Sequence, residues 1–274
     1  MTSPSKSTGE VSDETGILST LLAGEPVFVV ETREDPADAV LFPEEVAYVA
    51  KAVPKRQREF TTARHCARTA LARIDVPPGP ILRGDKGAPV WPAGVVGSMT
   101  HCLGYRAAVV ARAGDVTSVG VDAEPAEPLS DPGVLDLVSD KKERAALAAL
   151  AVTEPSVPWD RLLFSAKESV YKAWFPLAKR WLGFEDAHLE ISADGTFTAE
   201  LLVAGPVVAG SELTGFSGTW LVRDGVVVTA MRTRGHAYAR GPAPRRAPPA
   251  SPRTSPRSPA AAAPAAPAAA PWWA

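Results

Sequence analysis

Two short acidic segments carry the residues best suited to chemistry. Val119-Gly120-Val121-Asp122-Ala123-Glu124-Pro125 reads as a strand, and Phe164 to Trp174 (FSAKESVYKAW) reads as a helix. Asp122 and Glu124 stand two residues apart, so a strand places both carboxylates on one face. The helix adds Glu168 four residues before Lys172. Three carboxylates beside a lysine form a hard, oxygen-rich site for a cation such as Mg²⁺, with a positive charge at hand for a phosphate-bearing substrate. Each segment alone also fits a plainer account. Acids are common on exposed strand faces, and Glu168–Lys172 is the spacing of a solvated helical pair. The flanking residues favour a site. Leu163, Ala166, Val170, Ala173 and Leu177 form the expected apolar stripe. Away from it, Arg161, Phe164, Ser165, Lys172 and Phe175 surround Glu168, and two aromatics suit a cavity better than water.

Basic residues cluster upstream. A helix is expected from Pro54, a good first helical residue, to about Ile74. Arg56 and Arg64 fall on or beside its apolar stripe of Phe60, Ala63, Ala67, Ala70 and Leu71. Arginines on a face that faces inward need an anion, either an internal carboxylate or a substrate phosphate. Arg83-Gly84-Asp85-Lys86-Gly87-Ala88-Pro89 is a glycine-rich turn with two cations. Gly97-Ser98-Met99-Thr100-His101-Cys102 puts a hydroxyl and an imidazole just past an expected strand end. No Cys/His set has zinc spacing, and neither a Walker-type loop nor a nucleophile elbow occurs.

The elements that must hold these groups follow from pattern. Strands are expected at 26–30, 95–99, 105–112 and 119–124, then at 188–191, 196–203, 217–222 and 226–232, with an Asp224-Gly225 hairpin turn. Helices are expected at 44–53, 54–74 and 159–177, and another, capped by Ser139 or Asp140, to about Ala151, with Glu143 placed for a capping box in the Asp140 register. Segregated helices and strands indicate an α+β fold. The chain divides into a polar leader (1–16), an N-terminal half (17–114), a C-terminal half (115–240) and a tail (241–274). That tail holds ten of the 27 prolines, four arginines and no acid, a composition expected to stay disordered. Its Trp272-Trp273 ending reads as an exposed remnant or a docking tag. A net charge of −2 gives no global basic field for nucleic acid. No apolar run suits a membrane, no signal peptide is evident, and two cysteines fit a reducing, cytoplasmic setting.

Taken in order, the Arg-rich helix, the Lys-Gly-x-Pro turn, Gly-Ser-x-Thr-His, Gly-Val-Asp-x-Glu and Phe-Ser-x-Lys-Glu-x-x-x-Lys-Ala resemble the 4′-phosphopantetheinyl transferases. The match is to the longer, pseudo-dimeric class typified by the surfactin-synthetase activator, in its actinobacterial branch, over roughly residues 20 to 235. The resemblance implies two similar α+β halves with substrate between them. It implies transfer of phosphopantetheine from coenzyme A to a serine of an apo acyl or peptidyl carrier protein, leaving 3′,5′-ADP. Asp122, Glu124 and Glu168 resemble the Mg²⁺ ligands, with Glu168 the proton acceptor, and Lys172 the lysine at the coenzyme A phosphates. Thr100 and His101 match a phosphate-contacting pair, Arg56 and Arg64 the 3′-phosphate end, and Arg83, Lys86 and Gly87 the adenine-side loop. Phe164, Tyr171 and Trp181 are candidates for the pantetheine path or the carrier contact. Ala88 stands where a basic residue is common. The implied enzyme is a monomer whose carrier is of fatty-acid, polyketide or peptide-synthetase type. A Mg²⁺-dependent nucleotide phosphohydrolase, or an inactive coenzyme A or carrier-protein binding module, remains open from the residues alone.

Overall fold

A computed structural model of the chain describes residues 16–233. The leader up to residue 15, the tail and the Trp272-Trp273 ending lie outside the described residues. The N-terminal half contains α1 (Ile17–Leu21), β1 (Phe28–Thr32), α2 (Pro43–Val49), α3 (Pro54–Ala72), β2 (Val95–Cys102) and β3 (Tyr105–Arg112). Its strands form an antiparallel sheet in the order β1-β3-β2, and α3 packs across it. The C-terminal half contains β4 (Ser118–Pro125), α4 (Pro132–Val138), α5 (Lys141–Thr153), α6 (Trp159–Ala178), β5 (Ala187–Ile191), β6 (Thr196–Leu201), a short β7–β8 hairpin (Val207–Val208 and Ser211–Glu212), β9 (Gly215–Arg223) and β10 (Val226–Thr233). Its main sheet is antiparallel with the order β4-β10-β9-β6-β5. Each half is thus a long helix on an antiparallel sheet, the mixed α+β arrangement expected.

Several boundaries fall as the pattern predicts. Pro54 opens α3, Asp140 caps α5 in a box with Glu143, and Asp224-Gly225 turns β9 into β10. Other features differ. β2 continues to Cys102, so Thr100 and His101 lie inside a strand instead of beyond its end. Strand pairing to Arg106 and Tyr105 across a tight Leu103-Gly104 turn carries it on, which a reading of one strand at a time does not see. α1 and α4 are too short for periodicity to reveal. The largest departure is α6, which is buried on nearly every side instead of along one stripe. Residues from Leu162 to Tyr171 are all inside, including Ser165, Lys167, Glu168 and Ser169. Phe164 and Phe175, expected beside a site-facing carboxylate, are also buried, each only 4% exposed. α6 lies against β4 and β10 on one side while α4, α5 and β5 cover it elsewhere. In a helix so enclosed, a polar side chain costs free energy unless it finds a partner.

Those partners fix its position. Ser118 donates from Oγ to the Ala173 carbonyl at 2.7 Å, and Thr229 donates from Oγ1 to the Ser165 carbonyl at 3.0 Å. Lys167 donates from Nζ to Glu143 and to the carbonyls of Phe184 and Ala187. The approach of α6 to β4 is set by Gly120. A Cβ at that residue would lie 2.0 Å from the Ser169 carbonyl oxygen and 2.8 Å from the Ala173 nitrogen. Both atoms are backbone, so neither can swing aside.

The two sheets meet where β2 crosses the free edge of β4. Val121 N–H donates to Ser98 Oγ at 3.1 Å and Ala123 N–H to Thr100 Oγ1 at 2.9 Å. Two hydroxyls thereby do for the edge strand what another strand's carbonyls would do. Gly120→Ala is expected to push α6 off β4 and to cost about 1–3 kcal/mol of stability, the usual range for overpacking. Chemical denaturation checks this, and an unchanged midpoint would refute the close approach.

Candidate active site

Antiparallel apposition of β4 and α6 brings the expected acids together. Gly120, Asp122 and Glu124 share the strand face that meets the helix, while Val119, Val121 and Ala123 enter the core beneath the other face. Lys172 Nζ donates to Asp122 Oδ1 at 2.6 Å and to the Val121 carbonyl at 3.1 Å. Arg161 Nη1 donates to Glu124 Oε2 at 3.1 Å. Thr100 Oγ1 reaches Asp122 Oδ1 at 3.3 Å. Asp122 Oδ2 is buried without any partner. Glu168, 8% exposed, accepts no hydrogen bond among the described residues.

Three carboxylates beside two cations, Asp122 and Glu168 buried and Glu124 half-buried, cannot all stay charged cheaply. Burial, then the Asp122 charge, pushes the Glu168 carboxyl up to about 7, with Lys172 opposing. Burial, then Asp122, pushes Glu124 up to about 8, against Arg161 and Lys172. A set of hard oxygen donors short of positive charge, one of them an orphaned buried oxygen, fits a divalent cation.

Beside the acids opens a cavity of about 570 Å³ between the two halves. Arg56, Arg64, Gly87, His101 and Lys172 line it, as do Phe60, Trp91 and Phe175. Arg64 is buried on α3, its Nε 3.5 Å from Glu45 and 3.2 Å from the Ile81 carbonyl, its guanidinium over the Phe60 ring. Of the two partners the sequence left open for Arg64, the internal carboxylate is therefore present. It is shared, because Arg68 also takes Glu45, at 3.0 Å. Burial pushes Arg64 down to about 9, with Glu45 opposing and Arg68, Arg83 and Arg56 adding to the fall. An arginine keeps its proton, so this shift registers the cost of crowding cations with one carboxylate among them. Such a pocket favours an anion.

His101 touches Arg56 through Nε2 and approaches Glu59 through Nδ1 at 3.5 Å. Burial, then the charges of Arg56, Lys172, Arg106 and Lys55, pushes its imidazole down to about 3, leaving a neutral ring at physiological pH.

The remaining expected residues fall outside the cavity wall. Thr100 is turned onto β4. Arg83 stacks at 5.8 Å over Tyr48, and its charge acts on Arg56 and Arg64. Lys86 is exposed, with left-handed φ of 54°. Phe164 pairs with Phe184 inside the half, whereas Tyr171 packs at 4.9 Å against the partly exposed Trp181. Cys66 and Cys102 are buried free thiols. Sequence reasoning missed Glu45, Glu59 and the lining residue Trp91. Glu45 had one legible signal, its place three residues after Phe42 at the start of α2, where it accepts the Phe42 N–H at 2.9 Å. Asp140, Glu143 and His188 form a second grouping of metal-type donors. Their oxygens are already used by the α5 cap, Lys167 and Leu189 N–H, so this cluster is structural.

With this geometry in place, comparison with known proteins is decisive. Residues 44–111 match the 4′-phosphopantetheinyl transferase N-terminal domain, and residues 118–217 match the 4′-phosphopantetheinyl transferase superfamily. The chain belongs to that superfamily. It is 60% identical to 4′-phosphopantetheinyl transferase Svp of Streptomyces mobaraensis, over 73% of this chain and 81% of that protein. It is 50% identical to 4′-phosphopantetheinyl transferase PptT of Mycobacterium tuberculosis, over 76% of this chain and 92% of that protein. Enterobactin synthase component D of Salmonella typhi is 34% identical, over 71% of this chain and 77% of that protein. The activity is transfer of phosphopantetheine from coenzyme A to a carrier protein. The phosphohydrolase and inactive-module readings find no support. No helix among the described residues is long and apolar enough to cross a membrane.

The fold holds His101 neutral, so the stability this provides is present above its ordinary value of 6.5. It drains as pH falls from there toward about 3, because the unfolded chain takes up the proton first. Between pH 7 and pH 5, wild type is expected to lose about 1–2 kcal/mol relative to His101→Gln. Denaturant midpoints at the two pH values measure this, and parallel losses would refute it.

Proposed function

We propose that Asp122, Glu124 and Glu168 hold a Mg²⁺ ion and that Glu168 is the base of the transfer. The observation that carries this is the unpartnered, buried Asp122 Oδ2 beside a Glu168 carboxyl raised to about 7. Bound there, the ion would offset negative charge on the coenzyme A pyrophosphate. The residues supply the rest.

The carrier serine hydroxyl attacks the phosphorus bonded to pantetheine. A new O–P bond forms, the P–O bond to the nucleotide breaks, and 3′,5′-ADP leaves with the electron pair. Glu168 accepts the serine proton, directly or through water, and a value near neutrality suits that task. Lys172 spans the boundary between acids and cavity, and it gives fixed positive charge to the pyrophosphate. His101, neutral and seated between Arg56 and Glu59, accepts from the Arg56 guanidinium at Nε2 and turns Nδ1 to Glu59, so it orients Arg56 toward the phosphates. Thr100 acts through Asp122 and the β4 edge.

Arg56 and Arg64 take the 3′-phosphate end, where Arg64 shares Glu45 with Arg68. Arg83 is better disposed than Lys86 to join them, since its charge acts on both. Gly87 lets the adenine-side loop approach. The coenzyme thus rests mainly on the N-terminal half and the metal on the C-terminal half. Two free, buried cysteines accord with a cytoplasmic enzyme, and the two halves enclose a cavity within one chain, as in a monomer. A carrier of peptide-synthetase type is one candidate substrate, given the name of the Salmonella relative.

Asp122→Ala and Glu168→Ala should remain folded, and loss of the base should slow transfer by about 10²–10⁴-fold. Intact mass of an apo-carrier incubated with coenzyme A and Mg²⁺ reads the outcome. Transfer within a few-fold of wild type by either variant would reject the assignment.

Arg64→Ala should weaken coenzyme A more than dephospho-coenzyme A, by about 1.5–3 kcal/mol, the worth of a charge-assisted bond. Calorimetry with both ligands decides. Equal losses would mean that Arg64 serves Glu45 and the fold alone.

A further inference from the structure

Arg161, Glu168 and Lys172 are spaced by seven and four residues, which places them on one face of α6. Opposite them stand the two strand carboxylates, paired as Arg161–Glu124 and Lys172–Asp122. Asp122 has one oxygen, Oδ1, on Lys172 and Thr100, while Oδ2 has no partner. Glu124 is divided in the same way. Oε2 accepts from Arg161, and Oε1 accepts no hydrogen bond among the described residues.

The guanidinium that holds Oε2 is itself fixed. Arg161 Nε donates to the Glu127 carbonyl at 3.1 Å and Nη2 to the Pro128 carbonyl at 3.1 Å. All three of its nitrogens are therefore spent on the segment from Glu124 to Pro128, and only 17% of either side chain in the pair is exposed. A planar fork bound at three points fixes direction as well as charge, which an ammonium on a flexible stem does not. A pair made only to neutralise charge would not need the two carbonyl anchors.

Resting on the metal site proposed above, we propose that Arg161 is a positioning residue that aims Glu124 at the cation. It holds Oε2 in place and leaves Oε1 as the coordinating oxygen. Partners of this outer kind orient a ligand before the metal arrives.

The test is titration of the full, ligand-free chain with Mg²⁺ alone in a calorimeter, with melting temperature recorded for each variant. Arg161→Lys keeps the charge and loses the fork, and it should weaken Mg²⁺ by about 10–100-fold. Arg161→Met should weaken it too. In a Glu124→Ala background, Arg161→Lys should change Mg²⁺ affinity no further, and this comparison stands even where the single variant is less stable. Wild-type affinity in Arg161→Lys with tighter binding in Arg161→Met would make Arg161 a mere counter-charge and overturn the inference. Additive losses in the Glu124→Ala background would overturn it as well. Asp122→Asn separates the two levels. If Asp122→Asn binds Mg²⁺ like wild type, the metal site itself is wrong and Arg161 falls with it. If Asp122→Asn loses Mg²⁺ while Arg161→Lys does not, only the role of Arg161 is wrong.

Discussion

The site depends on how closely α6 lies on β4. Backbone meets backbone at Gly120, where no side chain can intervene. That closeness puts Glu168 and Lys172 within reach of Asp122, and it brings Arg161 to Glu124 two turns away. The same contact removes water from three carboxylates, and burial is the leading cause of the raised values of Glu124 and Glu168. A helix held farther out would leave three ordinary acids in solvent, with little pull on a cation and no base near neutrality.

Charge is distributed in two unequal camps. On the α6–β4 side carboxylates outnumber cations, and on the α3 side arginines crowd around Glu45. Lys172 lies at the border, bonded to Asp122 yet lining the cavity. Coenzyme A is polyanionic, and on the reading proposed above the arginine side meets it directly while the acid side does so through a bound cation. The seam between the sheets serves the same end. Ser98 and Thr100 replace a strand's carbonyls at the β4 edge, and in doing so they tie the acid-bearing strand to the strand that carries His101.

Much of this was legible in the sequence because it depends on local spacing. Asp122 and Glu124 two apart on a strand, Glu168 and Lys172 four apart on a helix, Pro54 at a helix start and the Asp140–Glu143 box all need only the geometry of one element. The order of the motifs carried the family and the transfer reaction. The apolar stripe expected on α6 does pack into the core, but the enclosure of its other sides was not legible, for a definite reason. Periodicity reports one apolar face, whereas α6 is covered on its other sides by α4, α5 and β5, with Lys167 paired to Glu143 and to the carbonyls of Phe184 and Ala187, Ser165 to the Thr229 hydroxyl, and Ser169 to the Ala166 carbonyl of its own helix.

What only the tertiary structure decided involves partners far apart in the chain. That Arg64 shares Glu45 with Arg68, that Glu59 backs His101, and that Arg161 is pinned by the Glu127 and Pro128 carbonyls could not be read from type or spacing. A side chain's identity fixes what bonds it can make, and the sequence shows that much. Which oxygen is left without a bond, as at Asp122 Oδ2, is settled only when every neighbouring element has been packed around it.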